Sequence, residues 1–137
     1  MVVIDGNDVV FGRTATQIAK KALAGDEIQL INAEKMIING NPAKIVNRYL
    51  ERKRVKNKAD PEHSPKWPKI PHMLVKRMIR GMLPWKSARG RAAYKRIMVY
   101  TGNPKELKAI DFKTKKYDGI SPHITVYELC RKMGYRG

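Results

Sequence analysis

The chain has 137 residues, a hydrophobic content of 42% and a formal net charge of +17. This length suits one domain with a single core, and the hydrophobic content excludes a compositionally disordered chain. A small compact domain with such an excess of cations calls for an anionic partner, and nucleic acid is the leading candidate.

Cysteine usage and apolar runs restrict the class of protein further. Cys130 is the one cysteine, which leaves no internal disulfide and no cysteine cluster for zinc. No stretch approaches the roughly 18 apolar residues of a membrane span, and the segment after Met1 lacks the pattern of a signal peptide. We therefore expect a soluble, cytoplasmic protein.

The first half of the chain predicts strands on either side of a helix. Residues 2–4 form an apolar run typical of a buried strand, and residues 15–23 carry apolar side chains at helical spacing before Gly25. Residues 28–31 and 36–38 predict two further strands.

The middle of the chain predicts two helices separated by an arm. Asn41 and Pro42 are typical of a helix start. Residues 56–71 contain four prolines, which predicts an extended basic arm. Residues 74–83 have a helical apolar face, and their cations lie on the other side.

The last third predicts a short helix, a strand and a final helix. Ser87 is a candidate cap for a helix to residue 96, and residues 97–100 predict a strand. Thr125 and Glu128 have capping-box spacing, which predicts a last helix with Cys130 in the core. The alternation of strands and helices along the chain predicts an α/β sandwich with a mainly parallel sheet covered on both faces.

The cations are concentrated in the middle of the chain. Residues 35–105 contain 19 basic and three acidic residues, whereas residues 1–34 contain three basic and five acidic ones. From His63 to Lys105 there is no acidic residue, so local ion pairs cannot balance this charge. Many of the cations are arginines, whose planar guanidinium groups match phosphate oxygens. This distribution favours binding of a polyanion over a lysine-rich solvated surface.

Aromatic residues lie among these cations. A flat ring can stack on an unpaired RNA base while cations neutralise phosphates, at about 1–3 kcal/mol per stacked base. Tyr49 and Tyr94 suit the core better, whereas Trp67 and Trp85 lie in irregular segments and suit either role.

No pattern for catalysis or metal binding is visible. Gly6 and Gly12 lack the spacing of a dinucleotide-binding turn, and the three histidines are scattered. Asp5 and Asp8 follow a predicted strand, where acids more often accept from backbone amides than perform acid–base chemistry. We expect no enzyme and no cofactor. A nucleotide-dependent RNA-modifying enzyme and a general duplex-binding protein stay open as alternatives.

Residues 79–102, reading IRGMLPWKSARGRAAYKRIMVYTG, resemble the signature of the large-subunit ribosomal protein thirteen family, in its archaeal or eukaryotic type. The resemblance extends through NAEKMIING at 32–40 and VVFGRTATQIAKKAL at 9–23 and covers essentially the whole chain. It implies one domain over residues 1–137 with a three-layer α/β/α fold, here a mainly parallel four-stranded sheet with a basic proline-rich extension. It also implies a structural role in the cytoplasmic large ribosomal subunit. There the protein would bind large-subunit ribosomal RNA, contact neighbouring large-subunit proteins and support early assembly.

The candidate RNA-binding residues lie within residues 44–96. The turn at 81–84 and the residues that follow it resemble the RNA-facing segment of the family, with Gly90 allowing a close backbone approach. We expect these residues to contact mainly phosphates and to read RNA shape. The full set is Arg48, Arg52, Lys53, Arg54, Lys56, Lys66, Trp67, Lys69, Lys76, Arg77, Arg80, Trp85, Lys86, Arg89, Gly90, Arg91, Lys95 and Arg96.

Overall fold

The computed structural model of the protein describes residues 1–109 and 116–137, and it confirms the predicted α/β class. The strands are β1 (Val2–Asp5), β2 (Ile28–Ile31), β3 (Ile37–Asn39), β4 (Ile97–Val99) and β5 (His123–Thr125). The helices are α1 (Phe11–Leu23), α2 (Pro42–Arg54), α3 (Pro71–Arg80), α4 (Ala88–Lys95) and α5 (Val126–Lys132). Short 3-10 turns cover Ala33–Lys35 and Pro61–His63.

Three parallel strands form the main sheet, in the order β1-β2-β4. Gln29 in the central strand is in register with Val3 on one side and Met98 on the other. Successive strand residues point to opposite faces, and both Val3 and Ile4 are buried. Both faces of the sheet are therefore covered along β1, as in parallel sheets generally.

The predicted four-stranded parallel sheet is not observed among the described residues. The strand expected at residues 36–38 exists as β3, but it pairs antiparallel with β5, with Ile38 in register with Ile124. A single parallel bridge joins Ile37 to Val10, just before α1. Sequence reasoning missed β5 because a three-residue strand is too short for periodicity to show, and long-range pairing decides its conformation.

Short polar side chains begin α2 and α5 as the sequence predicted. The Asn41 Oδ1 atom accepts a hydrogen bond from the Ala43 amide at 3.0 Å. The Thr125 Oγ1 atom accepts from the Glu128 amide at 3.1 Å. The first amides of a helix have no partner within the helix, so each cap contributes about 0.5–2 kcal/mol to stability.

The basic segment shares the hydrophobic core of the rest of the chain. α3 packs against β4, α1 and α5 and buries Leu74, Val75 and Ile79. Lys76 and Arg77 lie between these core positions in sequence and Arg80 follows them, so helix geometry turns these side chains away from the buried face. The positive surface is consequently mounted on a packed element.

Cys130 lies in the core of α5, as expected. Burial raises the pKa of its thiol from 9.0 to about 12, because the charged thiolate is poorly solvated there. The thiolate is the reactive form of cysteine, so the buried thiol is chemically inert in the folded protein.

We predict that Cys130 resists a disulfide reagent at about pH 8 in buffer and reacts rapidly once denaturant unfolds the chain. The same pKa difference should lower the free energy of unfolding as pH rises from about 9 to about 12, because the unfolded thiol ionises first. Absorbance of the released thiol measures the first effect, and denaturant titration at several pH values measures the second. Rapid labelling of the native protein would contradict the burial of this side chain.

Candidate nucleic-acid interface

The predicted arm covers residues 56–70 in the structure, because Pro71 begins α3, and it returns to α2 and α3 through Trp67. The Trp67 ring packs edge-to-face with Tyr49, with centroids 5.8 Å apart. The guanidinium carbons of Arg52 and Arg77 each lie 4.9 Å from the Trp67 ring centroid. The arm is thus anchored by a cluster of rings and cations that joins two helices.

A second cluster lies where α3 meets α4. The Arg80 guanidinium carbon is 4.1 Å from the Trp85 ring centroid. Trp85 packs edge-to-face with Tyr94 at 5.0 Å, and Lys76 Nζ lies 4.7 Å from the Tyr94 centroid. α3 supplies cations to both clusters. We call them together the aromatic–cation strip: Tyr49, Arg52, Trp67, Lys76, Arg77, Arg80, Trp85 and Tyr94.

The turn that carries Trp85 is tied to the start of α4. The Pro84 carbonyl accepts hydrogen bonds from the Ser87 amide at 3.0 Å and the Ser87 hydroxyl at 2.9 Å. Ser87 Oγ in turn accepts from the Gly90 amide at 3.2 Å, which confirms the predicted helix cap. A Cβ atom at Gly90 would lie 2.0 Å from the Pro84 oxygen. Gly90 is buried, and the close approach that it allows is to Pro84 of its own chain.

Two of the predicted RNA-binding cations have intramolecular partners. Lys53 Nζ donates to the Met133 carbonyl at 2.6 Å, at the end of α5. Arg96 Nη1 donates to the Ala22 carbonyl at 2.9 Å, in the last turn of α1. Cations stabilise the carbonyl end of a helix, so these two side chains have a structural role whatever else they contact.

Of the other predicted cations, nine are exposed, whereas Arg52, Lys76, Arg77 and Arg80 are half-buried beside aromatic rings. Within residues 1–109 and 116–137, no lysine or arginine between 63 and 105 forms an ion pair with a carboxylate. Within the arm, His63 Nδ1 lies at hydrogen-bonding distance from Asp60 Oδ2, 2.5 Å away. The exposed cations are Arg48, Arg54, Lys56, Lys66, Lys69, Lys86, Arg89, Arg91 and Lys95.

Asp5 stabilises the turn after β1, as the sequence suggested for this residue. Asp5 Oδ1 accepts from the Asn7 amide at 3.0 Å and from Asn32 Nδ2 at 2.9 Å.

In the described part of the chain, no group of three histidine, cysteine or acidic residues is placed to hold a metal ion. None of the described helices combines the length and the hydropathy needed to cross a bilayer.

Comparison with known proteins identifies the family. The sequence profile described as "Ribosomal protein L13" matches residues 1–106. The chain belongs to the ribosomal protein L13 family. It is 42% identical over 135 residues to "Large ribosomal subunit protein uL13" of Methanocaldococcus jannaschii, and the match covers 98% of each chain. It is 41% identical to the protein of that name from Methanosarcina barkeri, again over 98% of each chain. Against the Archaeoglobus fulgidus protein, identity is 38% over 98% of this chain and 88% of the relative. The family resemblance inferred from residues 79–102 is confirmed.

The aromatic–cation strip contains six of the predicted RNA-binding residues, and it also contains Tyr49 and Tyr94, which were not among them. Trp67 and Trp85 lie in the aromatic–cation strip as the sequence allowed. Tyr49 is buried, as expected, yet its ring also contacts Arg52, whose guanidinium carbon is 5.1 Å from the centroid. Tyr94 likewise combines core packing with a cation contact. These contacts join residues from separate elements, so they could be seen only in the folded structure.

We predict that Gly90→Ala lowers the free energy of unfolding by about 1–3 kcal/mol, because its methyl group would overlap the Pro84 backbone. Gly12→Ala is the matched control, since Gly12 is also helical and nothing lies within 4 Å of the position of a Cβ there. The control should gain up to about 1 kcal/mol from helix propensity. Thermal and denaturant unfolding measure both variants, and equal effects of the two would contradict the proposed packing of the turn.

Proposed function

We propose that the protein is a structural constituent of the large ribosomal subunit that binds large-subunit ribosomal RNA through phosphate contacts and supports early subunit assembly. The observation that carries the proposal is an unneutralised basic surface mounted on the core of an L13-family chain. A ribosomal protein of this family is a structural component and not the RNA-modifying enzyme that the sequence left open. Nothing in the geometry favours a general duplex-binding protein.

In this proposal the sheet and its helices form a rigid mount for the cations of residues 44–96. Exposed cations on α2, the arm and α4 project from separate elements, so they can contact phosphates of several RNA segments. Contacts to phosphates position a protein without reading sequence, and folded RNA is recognised largely by shape. We expect the surface to select an RNA fold.

The proposal includes three further expectations. Residues 1–137 form one domain with helices on both faces of the sheet, in a three-layer α/β/α arrangement that the burial of Val3 and Ile4 supports. The protein works in the cytoplasm as part of the ribosome. Its partners are the large-subunit ribosomal RNA and neighbouring large-subunit proteins, in keeping with the names of its relatives.

We predict a strong salt dependence of binding to a large-subunit ribosomal RNA fragment. Each neutralised phosphate contributes about −0.7 to −0.9 to the slope of log K against log salt, so six or more contacts give a slope of about −4 or steeper. Fluorescence anisotropy between about 50 and 200 mM salt measures it. A nearly flat slope would rule out binding through phosphates.

We predict that Arg89→Ala combined with Arg91→Ala reduces incorporation into large subunits several-fold without unfolding the domain. Both side chains are exposed on α4, and neither makes a hydrogen bond within the described residues. Lys132→Ala with Arg136→Ala is the matched control, because it removes the same charge from exposed positions outside residues 44–96.

Sedimentation of tagged variants through sucrose gradients measures incorporation, and thermal unfolding checks the fold. If the Arg89 and Arg91 double variant entered large subunits as well as the control, these two residues would leave the proposed interface.

A further inference from the structure

A cleft opens in the middle of the aromatic–cation strip. Its lining includes Trp67 and Trp85, together with Arg77 and Arg80 from the last turn of α3. Gly81 and Leu83 complete the lining, and the cleft has a volume of about 360 Å³. The cleft therefore combines two aromatic rings and two cations, which suits either an unpaired base or a phosphate.

Contacts within the protein already cover much of the two tryptophan rings. Two guanidinium carbons lie 4.9 Å from the Trp67 centroid, and Tyr49 packs edge-to-face against the same ring. Arg80 lies 4.1 Å from the Trp85 centroid, which is a direct stacking distance. A base could stack on the ring faces that these guanidinium groups occupy only by displacing an arginine. Such displacement would forfeit a favourable cation–π contact.

The arginines, in contrast, keep their hydrogen-bonding groups free. Arg52, Arg77 and Arg80 make no side-chain hydrogen bond and no ion pair within residues 1–109 and 116–137. A guanidinium that stacks through its plane still points its five N–H donors outward in that plane. These edges are the ones that bind phosphate oxygens in the two-bond arrangement typical of arginine.

We propose that the cleft between Trp67 and Trp85 binds phosphates of the RNA backbone, and that the tryptophans are positioning residues that hold arginines in place instead of stacking on bases. The inference rests on the proposed function and names the chemistry of one part of the interface. Arg77 and Arg80 lie three residues apart on α3, so they present two forks to one stretch of backbone. Because the tryptophans hold these two arginines in place before RNA binds, less side-chain entropy is lost on binding.

The test is a double-mutant cycle on Trp85 and Arg80, measured as affinity for a large-subunit ribosomal RNA transcript at several salt concentrations. Arg80→Ala should weaken binding and reduce the slope of log K against log salt by about 1. Trp85→Leu should weaken binding in the wild-type background but change it by less than about twofold when Arg80 is already alanine, because the positioned group is then gone. Arg136→Ala, an exposed charge loss elsewhere, is the control for the slope.

Each other outcome has a defined meaning. If Trp85→Leu weakened binding by the same factor, about fivefold or more, in both backgrounds, the ring would stack on a base and the inference would be overturned. An Arg80→Ala slope equal to that of Arg136→Ala would also overturn it. Thermal unfolding checks each variant, and Trp85→Phe, which keeps a flat ring, should bind within about twofold of wild type if Trp85→Leu fails to fold. A wild-type chain that binds no ribosomal RNA would instead refute the proposed function itself.

Discussion

The burial of α3 is the constraint on which the basic surface depends. Leu74, Val75 and Ile79 are completely buried against the sheet and its neighbouring helices. Because helix geometry links one face to the other, this packing also sets the direction of Arg77 and Arg80. Trp67 of the arm and Trp85 of the turn before α4 then pack against these cations. Loss of the apolar face of α3 would consequently disperse the interface as well as weaken the core.

The concentration of like charge has an energetic cost that the fold reduces in several ways. Lys53 and Arg96 donate to carbonyls at helix ends, where the helix dipole favours cations. The four rings of the aromatic–cation strip contact further cations through their faces. Each such contact contributes only about 0.5–1 kcal/mol at an exposed site. The remaining repulsion would be relieved by an anionic partner, so binding and stability are coupled in this protein.

The packed turn before α4 and the exposed arm differ in how firmly they hold their side chains. Gly90 lies directly under Pro84, and Ser87 fixes the same carbonyl through two hydrogen bonds. The turn before α4 therefore holds Trp85 in place, whereas the arm carries exposed lysines on long flexible side chains. A surface of this kind has a fixed centre around α3 and α4 and more adaptable cations around it. That combination suits a binding partner whose backbone crosses the protein at several points.

Local sequence signals determined much of this protein. Asn41, Ser87 and Thr125 marked helix starts because a cap depends only on residues two or three positions away. The charge distribution and the segment at 79–102 indicated an RNA-binding member of a ribosomal family. Tertiary structure alone decided that β3 pairs with β5 and that Trp67 and Trp85 pack against arginines. It also decided that the backbone of Pro84 packs directly against Gly90. Each of these contacts joins residues from separate elements, and the packing that brings such elements together leaves no periodic trace in the sequence.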